Sequence, residues 1–170
     1  MNKLIYILSF LLLIFFQILI SKSINLWGII TPMVYILFIF TLPFQMPKWQ
    51  VVLLGFLMGI SIDLFTGVIG QNAAATVLIA FLRMPIITII PTHIKFEEHL
   101  RPILWDMHFP WYFQYAMYLT LIHHITFFFL DGMSFQNFFL VLGISILNAI
   151  FTVFLIFLFQ IVFFKPSSRY

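Results

Sequence analysis

The stretch GFLMGISIDLFTG, residues 55–67, places an aspartate inside a run that otherwise has the character of a membrane-spanning helix. A carboxylate at the centre of a bilayer costs about 2.5–3.5 kcal/mol even on the most lenient insertion scales. Gly55, Gly59, Asp63 and Gly67 are spaced four residues apart, so on a helix they form one narrow stripe. Small residues at this spacing let two helix backbones approach closely in lipid. The pattern predicts that Asp63 faces protein, and that this span packs against another helix, of this chain or of a partner.

The composition of the whole chain indicates a membrane environment. Of its 170 residues, 64% are hydrophobic and 8% are charged, whereas soluble globular chains are about 45–50% apolar. A soluble core of this size could not bury so much apolar surface, so we expect an all-α integral membrane protein. There is no cysteine, which excludes disulfides and thiolate chemistry. The net charge of +3 includes no basic run of the kind that indicates nucleic-acid binding.

Apolar runs separated by turn residues predict one polytopic domain, residues 1–170, with about six transmembrane spans. The predicted spans cover approximately residues 4–20, 26–42, 50–69, 73–90, 112–130 and 137–164. If the spans alternate in direction, most cationic residues fall on one side of the membrane, namely Lys3, Lys48, Lys95, Arg101, Lys165 and Arg169. Lys22 is alone on the other side. The positive-inside rule then places both termini in the cytoplasm.

Arg83, in the predicted fourth span, is the candidate intramembrane partner of Asp63. The glycine turn that ends at Gly70 reverses the chain between them, and their Cα levels then differ by roughly 7–8 Å at 1.5 Å per residue. An Asp63–Arg83 pair, or hydrogen bonds from Asp63 to polar side chains, would lower the insertion cost and fix the helix register. A proton or ion relay and direct contact with a partner helix are the alternatives. The relay is disfavoured because no second carboxylate lies nearby in the sequence.

The histidines do not predict a metal centre. HIKFEEH, residues 93–99, matches neither H-E-x-x-H nor H-x-x-E-H, and an amphipathic stretch at the lipid headgroups explains it more simply. His123 and His124 are adjacent on a predicted helix and point about 100° apart, so they share no chelating face. At least one of them is expected to hydrogen-bond another span, and the polar residues Asn148 and Gln160 are interpreted likewise. No nucleophile elbow, phosphate loop or carboxylate pair occurs, so no catalysis and no cofactor are expected.

The segment GFLMGISIDLFTGVIGQNAAATVLIAFLR, residues 55–83, resembles the family of the rod shape-determining protein MreD. That family shows a glycine-spaced third span with an aspartate, a glycine turn, and a small-residue fourth span that ends near a basic residue. The chain length, the proline-bearing second span and the cytoplasmic termini are also similar. The resemblance implies a compact bundle similar to the substrate-binding subunits of energy-coupling vitamin transporters.

The resemblance further implies a non-enzymatic scaffold in the bacterial inner membrane that contributes to rod shape and lateral-wall peptidoglycan synthesis. The implied partners are MreC and, in the same complex, a RodA-type polymerase and a class B penicillin-binding transpeptidase. The alternative function is that of a substrate-binding subunit of a vitamin-type transporter. Such subunits carry an A-x-x-x-A motif in the first span, which YILSFLLLIFFQILISKS, residues 6–23, does not contain. A transporter should show broken helices and a polar cavity at mid-depth, and a scaffold needs neither.

Overall fold

The computed structural model describes the chain except for residues 1–2, 24–29, 69, 93–99, 133–136 and 165–170. The regular elements of the described residues are helices. They are α1 (Lys3–Ser23), a 3₁₀ turn (Val34–Ile36), α2 (Leu37–Phe40), α3 (Lys48–Thr66), α4 (Gln71–Ile89), α5 (Phe109–Gly132) and α6 (Phe138–Phe163). The segment HIKFEEH lies outside the described residues.

Four of the helices, α1, α3, α4 and α6, are long and apolar enough to cross a membrane. The 24 residues of α5 are also enough to span the hydrocarbon layer, but α5 is less apolar because it carries buried polar side chains such as His123 and His124. The chain is therefore a helical, membrane-embedded protein. The bounds of these five long helices lie within three residues of the predicted spans.

The described part of the second predicted span, residues 26–42, is not one long helix. Residues 31–33 form no helix, and the 3₁₀ turn and α2 together cover only residues 34–40. Pro32 is the physical reason, because proline has no N–H to donate and disfavours helical geometry in the residue before it. We refer to residues 30–42 as the broken segment.

The broken segment lies at the centre of the bundle. Every residue from 32 to 40 is buried, and most of these side chains have no exposed surface. Around it, α3 pairs with α4, α4 with α5 and α5 with α6, while α1 packs on α3 and on the broken segment itself. Irregular backbone is tolerated at membrane depth only where protein surrounds it, and this enclosure meets that requirement.

Candidate functional site

The carboxylate of Asp63 caps the amino end of α4. Its Oδ1 accepts hydrogen bonds from the backbone N–H and the side-chain amide of Asn72, at 3.0 and 2.9 Å, and its Oδ2 accepts one from the Ala73 N–H at 3.0 Å. The first N–H groups of a helix have no partner within the helix, and the helix dipole there favours a negative charge. Gly70 occupies the N-cap position and has no side chain to supply an acceptor. Asp63, which belongs to α3, therefore performs this role for α4.

Two glycines in left-handed backbone conformation make the turn that allows this cap. Gly67 has φ +73° and ends α3, donating its N–H to the Asp63 carbonyl at 3.0 Å, while Gly70 has φ +77° and precedes α4. Positive φ is readily adopted by glycine and disfavoured for other residues. The two positions reverse the chain so tightly that the last turn of α3 lies beside the first turn of α4.

Gly55 and Gly59 bring the α3 and α4 backbones into direct contact. A Cβ atom placed on Gly59 would lie 2.4 Å from the Ala73 Cα and 2.6 Å from the Asn72 carbonyl oxygen. A Cβ atom on Gly55 would lie 2.9 Å from the Cβ of Ala80. The predicted stripe thus faces α4 of the same chain and is not open to a second protein. A Cβ atom on its fourth member, Gly67, would have no neighbour within 4 Å, and this glycine serves the turn instead.

The guanidinium of Arg83 binds the carboxyl end of the broken segment. Its Nε donates to the Tyr115 hydroxyl at 3.2 Å, and its Nη2 donates to the carbonyl oxygens of Leu42 and, at 3.3 Å, Pro43. The Tyr115 hydroxyl in turn donates to the Phe40 carbonyl at 3.1 Å. Leu42 and Pro43 follow the end of α2 at Phe40, and their buried or partly buried carbonyl oxygens need donors that no helix supplies, so the cation is stabilised by hydrogen bonds to them.

Of the two arrangements expected for Asp63, the structure has the hydrogen bonds to polar groups and not the ion pair with Arg83. The partners of Asp63 belong to the first turn of α4, at Asn72 and Ala73. Arg83 lies eleven residues beyond Asn72, roughly 16 Å along the helix at 1.5 Å per residue. Each buried charge is therefore stabilised by different backbone groups, Asp63 at the start of α4 and Arg83 at the residues that follow α2.

Side chains of α1 and α6 replace the missing helical hydrogen bonds at the start of the broken segment. The donor–acceptor pairs are Gln17 Nε2 to Pro32 O (2.9 Å), Tyr35 N to Gln17 Oε1 (3.3 Å), Thr31 N to Asn148 Oδ1 (2.6 Å) and Met33 N to Thr152 Oγ1 (3.2 Å). Buried backbone groups need such partners because no water is present at this depth. The unwound backbone is thus held by the protein's own side chains.

The Tyr35 hydroxyl connects the broken segment to α4 and α5. It donates to Asn72 Oδ1 at 2.9 Å and lies 2.9 Å from Nε2 of His123. Because this hydroxyl donates to Asn72, the hydrogen-bond pattern assigns the proton of the neutral His123 ring to Nε2. Asn72 then donates to Asp63, so the hydrogen bonds run in one direction from α5 to α3. A primary amide does not pass protons on, and Asn72 therefore interrupts any relay between His123 and Asp63.

Both histidines of α5 make the expected hydrogen bond to another part of the bundle. His123 bonds Tyr35, and Nε2 of His124 lies 3.1 Å from the Thr152 hydroxyl of α6. His124 Nδ1 lies 2.9 Å from the Thr120 carbonyl of its own helix, which leaves Nε2 as the acceptor from Thr152. Within the described ranges, no three His, Asp or Glu side chains are grouped to hold a metal ion.

A cavity of about 450 Å³ opens beside the broken segment, next to the α3–α4 turn. Its walls combine polar and apolar side chains, including Gln17, Thr31, Ile62, Asn72, Phe127 and Asp131. Its volume lies within the roughly 300–1,000 Å³ of small-molecule sites. No local sequence pattern predicts this cavity, because its lining comes from residues far apart in the chain.

Several residues that organise the interior were not singled out from the sequence. They are Gln17, Tyr35, Asn72, Tyr115 and Thr152. The only signal was a polar or hydroxyl-bearing residue within an apolar run, which predicts an inward-facing position without naming its partner. Comparison with known proteins adds no assignment, since no family model, curated protein or solved structure matches the chain.

Proposed function

We propose that the chain is a non-enzymatic scaffold subunit of the bacterial cell-elongation machinery, embedded in the inner membrane. In this proposal it contributes to rod shape and lateral-wall peptidoglycan synthesis by binding MreC. The observation that supports it best is the α3–α4 hairpin, which contains the residues 55–83 that resemble the MreD family. In that hairpin Asp63 serves as a helix cap and Gly55 and Gly59 serve close packing. Both roles make the hairpin rigid, as the proposed scaffold requires.

The proposed partner contact lies on the outer surface of the bundle. The Gly55–Gly59 face is filled by α4, so a partner helix cannot use it. The span in α1 is only 17% buried, the lowest share among the four candidate spans. In this proposal the membrane span of MreC would pack on an exposed helix face of this kind, where side-chain packing replaces contact with lipid. The RodA-type polymerase and the class B transpeptidase would join through the same complex.

Copurification from the native bacterium tests the proposal. The tagged chain, expressed at its normal level and extracted in mild detergent, should enrich MreC, the polymerase and the transpeptidase in mass spectrometry. An equally tagged, unrelated polytopic protein serves as the control. Depletion of the chain should round the cells. If no wall-synthesis protein is enriched and depleted cells stay rod-shaped, the scaffold proposal fails.

A substrate-binding transporter subunit is the second candidate, and two observations favour it. The broken segment and the 450 Å³ cavity beside it are features that transporters use to bind substrates. Against it, the backbone groups exposed by the break are already bound by Gln17, Asn148 and Thr152. A screen of vitamins for ligands that raise the melting temperature discriminates the two functions. A hit that is lost when Ile62→Trp fills the cavity, while MreC still copurifies, would establish a ligand site independent of the scaffold.

A further inference from the structure

A second cavity, of about 530 Å³, lies between α1 and α6 at the end of the bundle opposite the α3–α4 turn. Its walls are mainly apolar and include Ile5, Leu8, Leu12, Phe159, Phe163 and Phe164. We call it the α1–α6 groove. From Ile5 to Leu13 it follows α1 for about 12 Å at 1.5 Å per residue. It therefore begins at the helix ends and extends into the depth of the hydrocarbon layer.

Arg101 is the charged residue among the described residues that line the groove. The loop that carries it has one internal hydrogen bond and is fastened to α6 at Gln160. The Arg101 N–H donates to Oδ2 of the buried Asp106 at 3.2 Å. Further along the loop, the Leu104 N–H donates to Gln160 Oε1 at 2.9 Å and Trp105 Nε1 donates to the Gln160 carbonyl at 3.2 Å. These bonds fix the loop to α6 and hold Arg101 beside the open end of the groove.

The Arg101 guanidinium is available for an anion. Within the part of the chain that the structure describes, no side chain or carbonyl accepts a hydrogen bond from it. The position is at headgroup depth, since it lies at the ends of α1 and α6 and next to Trp105, which is 44% exposed as interfacial tryptophans are. A guanidinium binds phosphate oxygens in a bidentate manner, and the apolar walls below it match a hydrocarbon chain.

We propose that the α1–α6 groove binds one anionic phospholipid, with an acyl chain along α1 and α6 and the phosphate on Arg101. The occupant is a lipid because the groove opens to the bilayer and Arg101 lies at the end where headgroups lie. It is an anionic lipid because the described lining has a cation and no carboxylate to receive a choline or ammonium group. This site is separate from the α3–α4 hairpin and from the cavity beside the broken segment.

Native mass spectrometry of the full chain in detergent tests the proposal. The chain is titrated with phosphatidylglycerol or with phosphatidylcholine of identical acyl chains, and phosphatidylglycerol should be retained more strongly. Arg101→Gln should weaken phosphatidylglycerol binding about fivefold, which corresponds to the roughly 1 kcal/mol of one cation at an anionic lipid surface. Arg101→Lys should retain most of the binding, because the charge is kept.

Lys48→Gln is the matched control. Lys48 is an exposed cation at the same end of the bundle, but its ammonium lies over the Phe81 ring, 3.5 Å from the centroid, and not in the groove. The Lys48→Gln variant should bind lipid as the unaltered chain does. Leu8→Trp, which fills the groove without changing charge, should weaken the binding of both lipids. Melting temperatures establish that each variant is folded, and Leu8→Trp and Arg101→Lys keep the test decisive if Arg101→Gln does not fold.

Three results would overturn the proposal. The first is equal retention of the two lipids by the unaltered chain. The second is a loss in Lys48→Gln as large as the loss in Arg101→Gln, which would indicate attraction by net charge alone. The third is a photo-crosslinker at Leu8 that captures a helix of another protein in place of lipid in native membranes, which would make the groove a protein-binding surface.

Discussion

Asp63 and Arg83 bring opposite charges into the bundle, and each is stabilised by backbone groups of a different part of the chain. Asp63 accepts hydrogen bonds from N–H groups at the amino end of α4, and Arg83 donates to the carbonyls of Leu42 and Pro43, where the broken segment ends. The dipole and the unpaired N–H groups at the start of α4 supply the opposite partial charge for Asp63, and carbonyl oxygens outside any helix supply it for Arg83. The two residues therefore determine where one helix begins and where the broken segment ends.

The loss of stability on substitution of Asp63 should depend on whether the new side chain can accept hydrogen bonds. Asp63→Asn keeps one carbonyl oxygen that can accept from α4, whereas Asp63→Leu leaves buried N–H groups at Asn72 and Ala73 without a partner. Each unpaired buried group costs about 1–3 kcal/mol, so Leu should lower the melting temperature in detergent much more than Asn.

Asp131→Asn is the control for loss of charge, since Asp131 is exposed at the end of α5, and it should melt like the unaltered chain. Equal loss of cell shape in Asp63→Asn and Asp63→Leu, at normal protein level and melting temperature, would contradict the structural role and indicate proton chemistry at Asp63.

Substitution of Arg83 should show that the geometry of its side-chain donors, as well as its charge, contributes to stability. Arg83→Lys keeps the cation but cannot contact Tyr115 and two carbonyls at once, because lysine lacks the planar fork of donors. We expect a clearly lower melting temperature, because hydrogen bonds to charged groups contribute about 1.5–3 kcal/mol to stability. Tyr115→Phe, which removes one hydroxyl and keeps the ring, should cost less. A lysine variant as stable as the unaltered chain would show that the carbonyl contacts contribute little.

At the scale of the elements, the α3–α4 hairpin is determined by glycine positions that act in different ways. Gly55 and Gly59 allow backbone contact, while Gly67 and Gly70 allow the turn. The four-residue spacing in the sequence predicts the backbone contact, because this contact follows from helix periodicity. It could not distinguish Gly67, since spacing alone carries no information on where the helix stops.

A single methyl group at Gly59 should disrupt this hairpin. Its Cβ would lie 2.4 Å from the Ala73 Cα, and backbone atoms cannot move aside as a flexible side chain can. Overpacking of this kind costs about 1–3 kcal/mol, so Gly59→Ala should lower the melting temperature. Gly143→Ala is the matched control, because its Cβ would meet nothing within 4 Å on α6 and alanine favours the helix. If both variants melt alike, the close approach of α3 and α4 is not a determinant of stability.

At the scale of the whole molecule, apolar runs located the five long helices because length and hydropathy are local properties. Pro32 is a local signal for the break in the second predicted span, but the hydrogen bonds that stabilise the unwound backbone come from distant residues. Thr31 and Met33 are bound by Asn148 and Thr152, more than a hundred positions later in the chain. The acceptor of Arg83 at Leu42 is likewise a backbone carbonyl, which has no signature in a sequence.

The broken segment determines whether the chain crosses the membrane five or six times. Residues 34–40 span only about 12 Å as a 3₁₀ turn and one α-helical turn, less than the roughly 30 Å hydrocarbon layer. Residues 30–33 form no helix and add up to about 3.3 Å each, while residues 41–42 form a turn, so the segment reaches roughly 25 Å by itself and completes a crossing only together with the chain that flanks it. The hydrogen bonds at its two ends agree with a crossing. The segment starts beside Gln17, in the second half of α1, and ends beside Arg83, in the second half of α4.

We therefore expect reporter fusions after Ser23, Gln45, Asn72, Phe109 and Phe135 to alternate between the two compartments, with both termini in the cytoplasm. A compartment-specific pair of reporters, one active on each side, provides an internal control at every position. The fusions after Ser23 and after Gln45 are decisive, because these two positions lie on either side of the broken segment. If these two fusions report the same compartment, the segment enters and leaves the membrane on one side, and the chain crosses five times in place of six.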